Sequence, residues 1–331
     1  MGNMLKEPQI VAEARKAQKG WNWFLELLAF VGVFLVSSIA LTIAATPLTM
    51  VMMFKNADYQ AALTSGDQNK IMEVATQISS SDATMIISLF ADIVMILVVI
   101  LFCKLLQKRR VRTIGFVKEG AVKEYLMGLL AGFLVFSATV LICMLTGALK
   151  FEGLSDSFAP GMFILYVLGY MIQGMAEEVL CRGYFMVSIA RRYPLVAAAV
   201  INAVFFAALH LSNPGITPLA FINLSLFGIF ASVYFIKRGN IWGIGAFHSI
   251  WNLVQGNFYG IKVSGLTSNC TVFDTAFVEG KEFFNGGSFG MEGGIATTIV
   301  LVVGIIVLCL MKKKETAETI ENVETTENAE A

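Results

Sequence analysis

Eight runs of about 20 mostly apolar residues recur along this 331-residue chain, the length a helix needs to cross a hydrocarbon core of about 30 Å. They lie near 24–46, 84–106, 124–149, 161–180, 195–211, 217–236, 241–257 and 293–311, and the fourth helical pattern runs on toward residue 190. A hydrophobic content of 56%, only 15% charged residues and a mean hydropathy of +0.72 exclude an ordinary soluble domain of this length. The fold expected is an all-α polytopic membrane protein with about eight transmembrane helices.

The basic residues support the same count. With the N-terminus inside, the segments 1–23, 104–123, 183–194, 237–240 and 312–331 are cytoplasmic and hold most of the 24 Lys and Arg. Only Lys55, Lys70, Lys150, Lys262 and Lys281 fall in the opposite loops, and Arg182 alone falls within a span. Cytoplasmic loops are enriched in Lys and Arg, so this alternation predicts both termini inside, and a miscounted span would scramble it. The first apolar run exceeds the 7–15 residues of a signal-peptide core and reads as an uncleaved anchor. The chain divides into a cytoplasmic segment 1–23, a membrane domain 24–311, and an acidic tail 312–331 expected to be disordered and cytoplasmic.

Smaller features carry weaker expectations. Cys103, Cys143, Cys181 and Cys309 are scattered through apolar helix and Cys270 lies alone in an outside loop, so neither a disulfide framework nor a cysteine metal motif is available. "GLLAG" (128–132) and "GNIWG" (239–243) match the small-xxx-small pattern that lets helices approach closely, here within the monomer. The polar stretches 54–83 and 258–292 are expected outside. The second contains "NGGSFGMEGG" (285–294), whose glycines predict either a flexible or tightly turned lid-like segment or a plain connector.

Against this apolar background the ionisable groups inside the spans stand out. Charges at mid-bilayer are costly and are kept for use, and "MIQGMAEEVLCRGYF" (171–185) keeps Glu177, Glu178 and Arg182 together. Glu178 and Arg182 are four residues apart with the acid first, the better orientation for a helical ion pair. Glu177 is then left about 100° around the helix with no cation near it in sequence, which suits a general base. The chain's two histidines, His210 and His248, both fall inside predicted spans. His248 shares a helical face with Asn252, and Phe206 likewise stacks beside His210. Glu177 and His210 could hold and deprotonate a water, while His248 and Asn252 donate to a developing oxyanion. The alternative uses a divalent metal such as zinc, with Glu177, His210 and His248 as ligands; no H-E-x-x-H signature is present to decide it. Each part has a bland counterpart, since an intramembrane His is more often a helix-to-helix hydrogen bond and a buried Glu–Arg pair usually structural. Asp92, alone in the second span, is a further buried acid with no assigned role.

Three elements, "EEVLCR" (177–182), "FAALH" (206–210) and "HSIWN" (248–252), resemble in type and order those of the CAAX-protease and bacteriocin-processing family, CPBP or Abi, of intramembrane metalloproteases. The resemblance covers about residues 125–257. It implies an eight-helix fold with the catalytic residues on the fourth, fifth and seventh spans, and hydrolysis of peptide bonds of membrane-associated proteins or peptides in or near the bilayer. It gives Glu177 and His210 the water, His248 and Asn252 the oxyanion site, and Glu178 and Arg182, with Phe206, supporting places. The expected partners are a membrane protein or peptide substrate and the lipid bilayer, with no nucleic acid, and the expected location is a bacterial plasma membrane. The alternative is a non-proteolytic membrane protein for bacteriocin or peptide immunity, or a scaffold. A proton-coupled transporter would also bury Glu, His and Arg, but no inverted repeat is evident.

One expectation conflicts with the others. On straight upright helices, ~1.5 Å per residue puts His248 roughly 11 Å from the inner charges, Glu177 roughly 20 Å and His210 roughly 24 Å. Tilt, a bend after Glu178, or a fifth span that begins as an interfacial segment is needed to bring them together.

Overall fold

The computed structural model describes residues 7–311. The expected tail 312–331 and the first six residues lie outside the described residues. In chain order the helices begin with α1 (Gln9–Ala17), α2 (Trp23–Lys55), α3 (Ala57–Ser65), α4 (Gln68–Ser79), α5 (Asp82–Ala91), α6 (Ile93–Leu105) and α7 (Ala121–Leu145). After strand β1 (Leu149–Leu154) come α8 (Pro160–Glu178), a π-helix (Val179–Met186), α9 (Val187–Ala190), α10 (Leu195–Ala208) and α11 (Pro218–Arg238). The chain ends with α12 (Trp242–Leu253), a π-helical turn (Val254–Phe258), strand β2 (Phe273–Phe277), α13 (Glu282–Asn285) and α14 (Ile295–Leu310).

Each of the eight apolar segments is therefore helical, in an integral multi-pass membrane protein. Five stretches are long and apolar enough to cross a bilayer: Trp23–Lys55, Asp82–Leu105, Ala121–Leu145, Pro160–Ala190 and Pro218–Arg238. α10 and α14 are shorter apolar helices. The second stretch is interrupted at Asp92, which separates α5 from α6.

The polar stretches are more ordered than their composition predicts. Residues 54–83 form α3 and α4 because side chains satisfy the free N–H groups at their starts. Asn56 Oδ1 accepts from Tyr59 N at 2.9 Å, and Asp67 Oδ1 accepts from Asn69 N at 3.0 Å. Val74 and Ile78 of α4 are buried. Residues 258–292 supply β2, which pairs antiparallel with β1 from Leu149↔Phe277 to Leu154↔Phe273, with an irregularity between Phe151 and Gly153. The helical fold thus carries one small sheet. The N-terminal segment is also docked: Ile10, Val11 and Ala14 of α1 are buried, and Arg15 Nε donates to Ala190 O at 2.9 Å.

A buried polar cluster fixes the end of α9. Arg191 donates to Glu26 Oε1 at 3.0 Å, and Arg109 donates to Gly183 O and Thr113 O, each at 2.9 Å. Ser188 and Gln107 complete it, at 3.0 Å. Charges this deep persist only when paired and hydrogen-bonded.

α12 is the central helix, held between α7 and α8 by backbone-to-backbone approach at glycines. A Cβ at Gly128 would collide with Gly243 O, one at Gly132 would lie 2.6 Å from Phe247 O, and one at Gly174 would lie 2.5 Å from Ser249 N. "GLLAG" therefore acts within the monomer, and Gly243 of "GNIWG" is its counterpart. Gly239 does not share that role; at φ 67° it caps the C-terminus of α11, with nothing near its missing Cβ.

Gly128→Ala should destabilise the protein by roughly 1–3 kcal/mol through overpacking, whereas Gly32→Ala, in open space, should not. Melting temperatures of the two variants in detergent check this, and equal values contradict the packing assigned to α7 and α12.

Candidate active site

Pro160 starts α8 with a φ already suited to a helix's first turn, and the helix runs unbroken to Glu178 before widening into π-helix at Val179. The change of period falls immediately after the two glutamates, where a bend is needed. Glu177 lies partly open to a cavity, with its side chain 26% exposed, while those of Glu178 and Arg182 are wholly buried at 0%. Arg182 donates to Glu178 Oε1 at 2.7 Å. The same oxygen lies 2.9 Å from His248 Nδ1. Since Glu178 paired with Arg182 is a carboxylate and can only accept, His248 Nδ1–H is the donor. One carboxylate oxygen therefore ties the fourth predicted span to the seventh.

Glu177 is oriented from the other side. Gln173, one turn earlier on α8, donates Nε2–H to Glu177 Oε1, and Asn252 Nδ2 donates to Gln173 Oε1 at 3.0 Å. Asn252 thus reaches Glu177 through Gln173, which leaves Glu177 Oε2 facing His248 Nε2 at 3.8 Å. That gap exceeds a direct hydrogen bond and suits a bridging water.

His210 lies in the turn after α10, two residues past Ala208. Its Nδ1 is 2.9 Å from Phe206 O. A carbonyl only accepts, so the proton is on Nδ1 and Nε2 presents a lone pair. The brevity of α10, together with the π-helix, removes the depth conflict set up by straight helices. Glu177, His210, His248 and Asn252 all line one cavity of about 260 Å³.

Aromatic rings wall this polar group. Phe206 lies 5.0 Å from His210 and 6.0 Å from His248, centroid to centroid, and Phe227 lies 4.8 Å from His248. The Arg182 guanidinium carbon sits 4.5 Å from the Phe206 centroid, so Phe206 backs both the cation and the imidazoles. "NGGSFGMEGG" is the tightly turned alternative: Gly286 and Gly290 have φ of 83° and 100°, Phe289 and Met291 are fully buried, and Glu292 lines the cavity. Asp92 lines it too, from the α5–α6 interruption.

Gln173 was not among the sequence candidates, although it stands four residues before Glu177, the spacing that pairs His248 with Asn252. Glu292 and Asn223, which also line the cavity, carry no local sequence signal; only the fold brings them there. Among the described residues no three His, Cys, Asp or Glu side chains form a group that could hold a metal ion. One nitrogen of each imidazole is committed to a protein partner, which leaves the Nε2 atoms of His210 and His248 toward the cavity.

Removing one member of the buried pair should be severe. Glu178→Ala strands Arg182, and a loss of about 3–5 kcal/mol is expected. Unfolding in mixed detergent micelles measures it, and a variant as stable as the parent would refute the central place of Glu178.

Residues 159–254 match a protein-family model described as Type II CAAX prenyl endopeptidase Rce1-like. No curated protein and no solved structure matches the chain. The matched segment contains the glutamate pair, Arg182 and both histidines, and ends just after Asn252. Over residues 159–254 this chain is thus similar to the Rce1-like CAAX prenyl endopeptidases.

Proposed function

We propose that the protein is an intramembrane endopeptidase that hydrolyses peptide bonds of membrane-associated proteins or peptides with a water activated by Glu177 and His210. The observation that carries this reading is the set of opposed groups on one cavity. A carboxylate fixed by Gln173 and an imidazole with a free lone pair supply the base side, and His248 with Asn252 supply donors.

The chemistry follows from the hydrogen bonds. Glu177 Oε2 takes a proton from water as the oxygen attacks the scissile carbonyl carbon, with His210 Nε2 accepting the water's other hydrogen as a hydrogen bond. The carbonyl π electrons move onto oxygen, which is met by His248 Nε2–H and the Asn252 amide. With Nδ1–H already given to Glu178, His248 can donate from Nε2 only as imidazolium, and the Glu178 carboxylate stabilises that form. Collapse breaks the C–N bond, and the proton held by Glu177 passes to the leaving nitrogen. Arg182 holds Glu178 in place and hence keeps the imidazole oriented.

Both termini inside is the sidedness supported by the loop charges. A divalent ion is a separate proposal; water activation by Glu177 needs none, so on this reading exhaustive treatment with EDTA and phenanthroline is expected to leave activity intact. A loss restored by added zinc would transfer water activation to the metal.

Glu177→Ala and His210→Ala should lower kcat by at least about a hundredfold while the protein still inserts and folds. Gln173→Ala should lower kcat by a smaller factor, because it frees the carboxylate without removing it. The decisive experiment compares new peptide termini in membranes from cells expressing wild type or Glu177→Ala at matched levels. Termini absent from the variant establish proteolysis and identify substrates. Identical sets, with a wild-type phenotype that survives the substitution, establish the immunity or scaffold alternative.

A further inference from the structure

Three acidic residues, Asp92, Glu177 and Glu292, line the cavity, and among the described residues no Lys or Arg does. Glu292 is the least explained of the three. It is 8% exposed and makes no ion pair among the described residues; its nearest cation in sequence, Lys281, lies over the Phe284 ring instead. Ser264 donates to Glu292 Oε2 twice, from N at 2.7 Å and from Oγ at 2.8 Å. Glu292 Oε1 has no hydrogen-bond partner among the described residues.

The backbone around this carboxylate is also fixed. Asn223 Nδ2 donates to Glu292 O at 2.7 Å and to Gly294 O at 2.8 Å. Gly290 follows a course only glycine can take, at φ 100° against Lys262 O. The site connects to the catalytic group: Asn213 Nδ2 donates to Ser264 O at 3.0 Å, and Asn213 N donates to His210 O at 3.0 Å. Glu292 is thus held at the His210 end of the cavity as a rigid, nearly buried anion with one oxygen unused. Neutral donors leave its charge in place, and burying such a charge is costly until a cation joins it.

We propose that the His210 end of the cavity is a subsite for a cationic side chain of the substrate, Lys or Arg, and that Glu292 is the residue that selects it. This rests on the endopeptidase reading above and adds a substrate class to it. Arg offers two N–H groups and Lys a point charge, and either can complete Glu292 Oε1.

The test uses the full-length protein purified in lipid nanodiscs and fluorogenic peptides built on a sequence that it cuts. Lys, norleucine or Glu is placed in turn at each of three positions on either side of the scissile bond. At one position Lys should raise kcat/KM roughly tenfold or more over norleucine, with Glu poorest, and in Glu292→Gln that ratio should fall to about one. The wild-type comparison requires no variant, so it decides even where Glu292→Gln is unstable. Wild type indifferent to Lys at every position, or a folded Glu292→Gln that keeps the full preference, overturns the subsite and leaves the protease reading intact. Failure to cut any peptide in a Glu177-dependent way removes both.

Discussion

The structure of the site depends on a single carboxylate oxygen. Glu178 Oε1 receives Arg182 from its own helix and His248 from α12, all three in an environment with almost no water. Each group is tolerable there only because of the others. Without Glu178 the guanidinium has only a long bond to Gly228 O, at 3.4 Å, and an aromatic face for company. Without Arg182 the carboxylate loses its strongest partner. The imidazole owes its orientation to both. The motif's second glutamate thus lies beneath the reaction, and leaves the first free to face the cavity.

This division of labour depends on how closely the helices approach. Two adjacent glutamates on an α-helix point about 100° apart, so one can face a neighbouring helix while the other faces a void only if that neighbour is close on one side. The glycines of α7 and α8 let α12 come that near. The onset of π-helix at Val179 then carries Arg182 past the point where the chain turns from the cavity toward Phe206 and Phe227.

Much of this was legible from residue spacing. The apolar runs located all eight helical segments because span length is set by the bilayer. Four-residue spacing identified Glu178–Arg182 and His248–Asn252 because helical neighbours are local. The crossing partner was not legible: His248 was expected to face a substrate oxyanion, and its Nδ1 contact with Glu178 depends on two helices far apart in sequence. Asn252 reaches the base through Gln173, an amide unremarkable among polar residues until its position four before Glu177 is noticed. The helices α3 and α4 were hidden by polar composition, although Asn56 and Asp67 were there as caps. Glu292 was invisible for a different reason: its loop returns to the cavity from outside the matched segment, and no periodicity marks it.

The glycine contacts also determine how the wall is closed. Gly128, Gly132 and Gly174 bring α12 against backbone atoms, which cannot rotate aside, so the seams between α12 and both α7 and α8 stay shut. Gly169 of α8, by contrast, meets only the Leu89 side chain of α5, which is set off from α6 by the single turn residue Asp92. One wall of the site is therefore closed backbone against backbone, and the contact between α5 and α8 is made through side chains, Leu89 among them.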